Sequence, residues 1–202
     1  MFRMDPSVIC PWDPDAKDYA HMYWVKYELA KAIQPGSMVE IGVRAGYSAW
    51  AFLQACPSME YRGFDANNGE HCGTSCPNGK WTDWARKILS GYDALIHDCC
   101  DTQTTSVMPS ADAYHVDGDH TEEGCLHDME ICASGMLDHS VMVVDDYTMI
   151  PDVRRAVDGW LGKRPEFEMV LVEGFRGDAV MGLRSHERVR GIMSRLRGIG
   201  GE

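Results

Sequence analysis

Hydrophobic and polar positions along this chain switch repeatedly between helical and strand periodicity. Met22, Val25, Leu29, Ala32 and Ile33 recur at helical spacing and predict a helix over 18–33, closed by Pro35 and Gly36. Short apolar runs at 37–42 (SMVEIG), 61–65, 94–98, 113–117 (AYHVD) and 141–145 (VMVVD) predict strands. Helices are predicted between them, over YSAWAFLQAC after Gly46, over 81–89, and over 121–137. The last of these has Cys125, Leu126, Met129, Cys132, Ala133, Met136 and Leu137 on its inner face. Pro151 opens a further helix, where its missing N–H costs nothing, and Val153, Ala156, Val157, Trp160 and Leu161 form the apolar stripe. Two final strands, 167–172 and 179–184, flank the short EGFRGD turn and read as an antiparallel pair at one end of the sheet. Such alternation predicts an α/β fold, a mostly parallel sheet with helices on both faces.

Length and charge narrow the picture. With 202 residues, 45% of them hydrophobic, the chain is expected to form a single domain over 1–202. Within it, 1–36 is read as an N-terminal helical segment. The polar, Gly-rich stretch at 66–80 is too long for a simple turn and is read as a candidate lid loop. No apolar run reaches the roughly 18 to 20 residues that cross a bilayer, and the start lacks the apolar core of a signal peptide. A cytoplasmic protein without membrane attachment is therefore expected. The net charge of -12 argues against nucleic acid as a partner. Arg184, Arg188, Arg190, Arg195 and Arg197 cluster near the end and read as a solvated helix face. The eight cysteines are scattered, so reduced thiols are expected, and Cys72 and Cys76 beside His71 lack the second ligand pair of a zinc site.

In an open parallel sheet, ligands bind beyond the carboxyl ends of the strands, and several strand ends here are acidic or glycine-rich. The first carries Glu40-Ile41-Gly42-Val43-Arg44-Ala45-Gly46, where two glycines let the backbone turn sharply near a helix start. Glu40 stands where dinucleotide enzymes place a glycine, and a carboxylate there repels phosphate and attracts a cation such as the ammonium and sulfonium of S-adenosylmethionine (SAM). A purely structural glycine turn is the competing reading. Asp65 ends the second strand roughly 20 residues beyond the glycines, where an acid can accept both hydrogen bonds of a ribose diol. Asp98 ends the third and could face an adenine. Either acid alone could equally be a helix cap.

His115-Val116-Asp117-Gly118-Asp119-His120 is followed, 28 residues after Asp117, by Asp145-Asp146-Tyr147. Three carboxylates, Asp117, Asp145 and Asp146, would converge above the sheet edge and repel unless a cation sits among them. A hard divalent ion such as Mg²⁺ resolves that conflict and leaves positions for substrate oxygens. Coordination would acidify a substrate hydroxyl, and His120, three residues after a candidate ligand, is the candidate base. Asp119 reads as a helix-start acid, and His97, His115, His127 and His139 receive no role. Tyr23, Trp24, Trp81, Trp84 and Tyr147 could line an aromatic pocket or belong to the core.

Through VEIGVRAGYS, FDAN, VDGDHTEEG, VVDDY and PDVRRAVDGWL the chain resembles class I SAM-dependent methyltransferases. The resemblance is strongest to the metal-dependent small-molecule O-methyltransferases that include macrolide sugar methyltransferases. It implies a seven-stranded Rossmann-like sheet with the last strand antiparallel, Glu40 and Gly42 near the methionine part of SAM and Asp65 on its ribose; Gly46, Ser48 and Asp98 complete the candidate cofactor-binding residues. It also implies magnesium on Asp117, Asp145 and Asp146, His120 as general base, and a hydroxylated small molecule as acceptor. A homodimer is expected, since the N-terminal segment and the Arg-rich end have few obvious partners within one domain. Two other readings stay open: a different metal-dependent enzyme such as a hydrolase, though no G-x-S-x-G elbow is present, and a non-catalytic nucleoside-binding module.

Overall fold

The computed structural model describes residues 4–66, 81–98, 100–174 and 176–199. Seven strands form one sheet: β1 (Ser37–Ile41), β2 (Glu60–Phe64), β3 (Ala94–His97), β4 (Ala113–Val116), β5 (Val141–Val144), β6 (Phe167–Val172) and β7 (Asp178–Leu183). Their order is β3-β2-β1-β4-β5-β7-β6. β1 through β5 pair in parallel, whereas β7 runs antiparallel to both β5 and β6. The short loop between β6 and β7 dictates that antiparallel pair, since a parallel return needs a crossover. From β1 the chain moves outward to β2 on one side, while β4 lies on the other, so the topological switch point falls between β1 and β4.

The period of two along each strand divides the interior into two layers. Val141 and Val143 of β5 pack on one face with Val25, Leu29 and Ile33 of α1 (Ala20–Ile33), Phe52 and Leu53 of α2 (Tyr47–Ala55), and Ile192 and Leu196 of α6 (Glu187–Leu196). α3 (Trp81–Ile88) joins this layer through Trp81 and Ala85. Met142 and Val144 pack on the other face with Met129 and Cys132 of α4 (Glu122–Gly135) and Val153, Val157 and Trp160 of α5 (Pro151–Gly162). Trp160 is fully buried; truncating such a side chain to Ala costs about 3–5 kcal/mol.

The observed strand ends lie within a residue or two of those predicted, and the exceptions have local causes. α1 begins at Ala20 rather than 18 because 14–19 is wound as a 3-10 turn opened by Pro14. α4 stops at Gly135, which leaves Leu137 45% exposed rather than on the inner face, and Ile131 and Asp128 take buried positions instead. Gly135 sits so close to the Met108 carbonyl that a Cβ would fall 2.4 Å from it. Most of the Arg-rich end forms α6, with Val189, Ile192, Met193 and Leu196 inward, Arg190 exposed, Arg188 half-buried on Asp112 and Arg195 donating to the Ala32 carbonyl. Of the candidate lid at 66–80 only Ala66 is described; His71, Cys72 and Cys76 lie outside the described residues. Among the described residues no helix is long and apolar enough to cross a membrane.

Candidate functional site

At the switch point, the turn after β1 meets the turn after β4. Gly42 (φ +86°), Arg44 (φ +48°) and Gly46 (φ +79°) all adopt left-handed backbone. A Cβ on Gly42 would lie 1.9 Å from the Asp117 carbonyl oxygen, and one on Gly46 would lie 2.8 Å from the Ala85 Cβ. Both glycines are thus required by the packing of the turn against β4 and α3, in addition to any ligand. Asp65, at the end of β2, accepts a hydrogen bond from the Arg44 N–H at 2.7 Å and so ties that strand end to the turn. The Arg44 guanidinium lies 4.9 Å from the Trp81 ring and 3.5 Å from Asp13, joining the turn to α3 and to the N-terminal segment.

Glu40 points into the α1 layer and has no exposed surface. Its carboxylate accepts hydrogen bonds from Ser48 Oγ at 2.5 Å and from Tyr61 Oη, and lies 2.7 Å from His115 Nδ1. Ser48 lines the cavity described below, and Glu40 lies behind it. Asp98 stands apart: its carboxylate pairs with Arg86 at 2.8 Å, which holds its pKa below the ordinary value.

The acids after β4 and β5 divide into two groups. One ligand atom each from Asp117, His120 and Asp146 fall within 4.8 Å of one another. His120 Nε2 lies 3.2 Å from Asp117 Oδ1 and 3.5 Å from Asp146 Oδ2. Asp146 Oδ2 also accepts from Arg176 at 3.0 Å, whereas its Oδ1 is buried without a hydrogen-bond partner among the described residues. Burial, with the charges of Asp145 and Asp117 next, pushes the Asp146 pKa up to about 7. The hydrogen bond to Asp117 is the largest influence on His120 and raises its pKa, against the effect of burial.

Asp145 leaves β5 toward the opposite face. Its Oδ1 lies 3.0 Å from Lys26 Nζ of α1 and accepts the Asp146 N–H at 2.8 Å. Lys26 also pairs with Asp178, which stands opposite Asp145, one step beyond the Val144↔Ala179 pair. Burial alone would discharge Asp145, but the ammonium beside it brings its pKa down to about 2; burial leaves Asp178 above the usual carboxylate range. His115, Asp145 and Asp178 form a second close group on this face.

Both sets border one cavity of about 300 Å³, whose wall includes Tyr23 and Lys26 of α1, the turn from Gly42 to Ser48, Asp117, Asp145 and Arg176, with Asp13 and Asp15 from the N-terminal segment. The structure therefore brings Gly42, Ser48, Asp117 and Asp145 to a common space, sets Asp146 and His120 beside Asp117, and leaves Asp98 on Arg86. Of the aromatic candidates, Tyr23 faces the cavity, Trp81 is core, Trp24 and Trp84 pack against the core, and the Tyr147 hydroxyl donates to Asp158. Sequence reasoning missed Lys26, His115, Arg176 and Asp178. Lys26 had a signal: it occupies an inward position between Val25 and Leu29, where an unpaired charge is not tolerated.

A family model described as a methyltransferase domain matches residues 39–147, more than half of the chain. Among solved structures, an O-methyltransferase of tomaymycin synthesis from Streptomyces achromogenes, in complex with SAM, superposes with a TM-score of 0.64 at 14% identity, covering 90% of this chain and 91% of that one. A methyltransferase from Geobacter sulfurreducens gives 0.64 at 15% identity over 91% and 93%. The TDP-rhamnose 3′-O-methyltransferase of calicheamicin biosynthesis gives 0.60 at 17% over 81% and 80%. These likenesses carry the fold. No curated protein matched the sequence.

Proposed function

The chain belongs to this methyltransferase family and is a SAM-dependent methyltransferase, and from that premise we propose that it transfers the methyl group to a hydroxyl of a small molecule with help from a divalent metal. One observation carries the proposal: Asp117, His120 and Asp146 converge within 4.8 Å beside the glycine turn, and Asp146 Oδ1 is buried with no hydrogen-bond partner among the described residues. Buried carboxylate oxygens without donors are rare because desolvation goes uncompensated. A hard cation such as Mg²⁺ fits that oxygen-rich donor set.

In this reading Asp117 and Asp146 hold the metal, with Asp145 at the cavity wall as the third acid. The turn from Gly42 to Ser48 would hold SAM, with Asp65, the candidate for its ribose, steadying the turn through the Arg44 N–H. When bound, the metal would acidify an acceptor hydroxyl, and SAM would supply an electrophilic methyl group. His120 takes the hydroxyl proton, and Asp117 beside it favours the imidazolium that results. Arg176 fixes Asp146 through the shared oxygen and leaves the other one free. Glu40 acts from behind the wall, orienting Ser48 rather than touching the donor. The acidic wall suits a neutral or cationic acceptor, such as a sugar or natural-product hydroxyl, better than a polyanion.

Methyl transfer and SAM binding of His120→Ala test the role of the base. Loss of a general base lowers turnover by about 10²–10⁴-fold, and SAM affinity is expected to stay near the wild-type value. A His120→Ala variant that turns over normally rejects His120 as the base.

A further inference from the structure

Lys26 and Asp178 take no part in the chemistry described above, yet Lys26 lines the cavity and Asp178 pairs with it from the interior, their side chains only 3% and 5% exposed. Lys26 Nζ stands 3.0 Å from Asp145 Oδ1 and also pairs with Asp178. The register of β5 and β7 sets the two carboxylates across from each other, where like charges repel. One ammonium between two acids leaves the trio with an excess negative charge. His115 lies beyond it, joined on its other side to Glu40. A divalent cation arriving at Asp117 and Asp146 therefore meets an Asp145 that an ammonium already holds.

We propose that Lys26 and Asp178 set the metal affinity of this site. Lys26 is a built-in counter-charge that competes with the divalent cation for Asp145, and Asp178 is the alternative carboxylate that retains Lys26 once the cation binds. The inference rests on the metal reading given above. It follows from the geometry because Lys26 already reaches both acids, so its share of Asp145 can fall without leaving the ammonium unpaired. In a water-poor interior the Coulomb interactions of such close charges are large compared with those at a surface. Lys26 and Asp178 are positioning residues here, and they act on the metal through Asp145.

Competition predicts opposite effects from two substitutions. Lys26→Met removes the competitor and is expected to tighten Mn²⁺ binding by at least about fivefold. Asp178→Asn leaves Lys26 with Asp145 alone and is expected to weaken it by a similar factor. The measurement is the dissociation constant for Mn²⁺ alone, from the paramagnetic resonance signal of the free ion, on the full chain without SAM. A merely structural role would lower thermal stability and leave these constants unchanged. If Lys26→Met does not fold, Asp178→Asn decides alone. Unchanged or tighter binding in Asp178→Asn, or unchanged or weaker binding in folded Lys26→Met, overturns the inference while the metal reading stands. A wild-type protein that binds no Mn²⁺ overturns both.

Discussion

Asp146 combines two features that ordinary folding would avoid, a left-handed backbone at φ +61° and a buried carboxylate oxygen without a donor among the described residues. Strain and an unmet acceptor persist where the surroundings enforce them, and here Arg176 and the β5 terminus do so. Substituting Asn keeps the Arg176 contact but removes charge from the site. Asp146→Asn is expected to lower Mg²⁺ affinity by at least about 10-fold, the least that losing even a residue behind a ligand costs, measurable by calorimetric titration; unchanged affinity would remove Asp146 from the ligand set. Asp128, fully buried behind Gly118, presents a different case. Burial raises its pKa to about 6 even though Thr102, Gln103 and the Asp119 N–H donate to it. The folded state then holds the proton more tightly than the unfolded state, so this group's stabilising contribution is fully present below pH 4 and is lost as pH rises toward 6. The loss is on the order of 3 kcal/mol. Urea unfolding of wild type and Asp128→Asn across that window should show the wild type losing stability relative to the variant; parallel profiles would contradict it.

Among the elements, the junction of the β1 and β4 turns decides whether the site can form. Gly42→Ala would put a methyl group into the Asp117 carbonyl at a backbone angle that disfavours any side chain. A loss of at least about 2 kcal/mol is expected, read from denaturant midpoints, and a neutral effect would mean that the two turns can separate. The sheet and most helices were legible because each strand ends in a turn signal and each helix carries an apolar stripe. Asp117, Asp145 and Asp146 were legible as a group because they follow apolar strands. Their division was not: consecutive residues after β5 leave toward opposite faces, and only the placement of α1 shows that Asp145 meets Lys26 while Asp146 meets His120. Asp178 and Arg176 were hidden for the same reason, since the β6–β7 pair reaches β5 through tertiary pairing alone. Glu40 was read as facing the donor, but Ser48, Tyr61 and His115 enclose its carboxylate inside the α1 layer.

The molecule as a whole places its matched segment, residues 39–147, under a wall built partly from outside that segment. Asp13, Asp15, Tyr23 and Lys26 before it and Arg176 after it all border the cavity. Trp84 donates to the Val8 carbonyl at 2.8 Å, and the Cys10 N–H donates to the Tyr47 hydroxyl at 2.8 Å, which seats the N-terminal segment on α2 and α3. In the reading proposed above, an acceptor would meet a wall drawn partly from outside the matched segment, which is why the reaction type was more legible than the acceptor. Metal dependence is decided by transfer of labelled methyl from SAM to a panel of hydroxylated small molecules, with Mg²⁺ and with EDTA. Transfer is expected with Mg²⁺, to be lost in EDTA and to return when Mg²⁺ is restored; transfer that proceeds equally in EDTA would rule out a role for the metal.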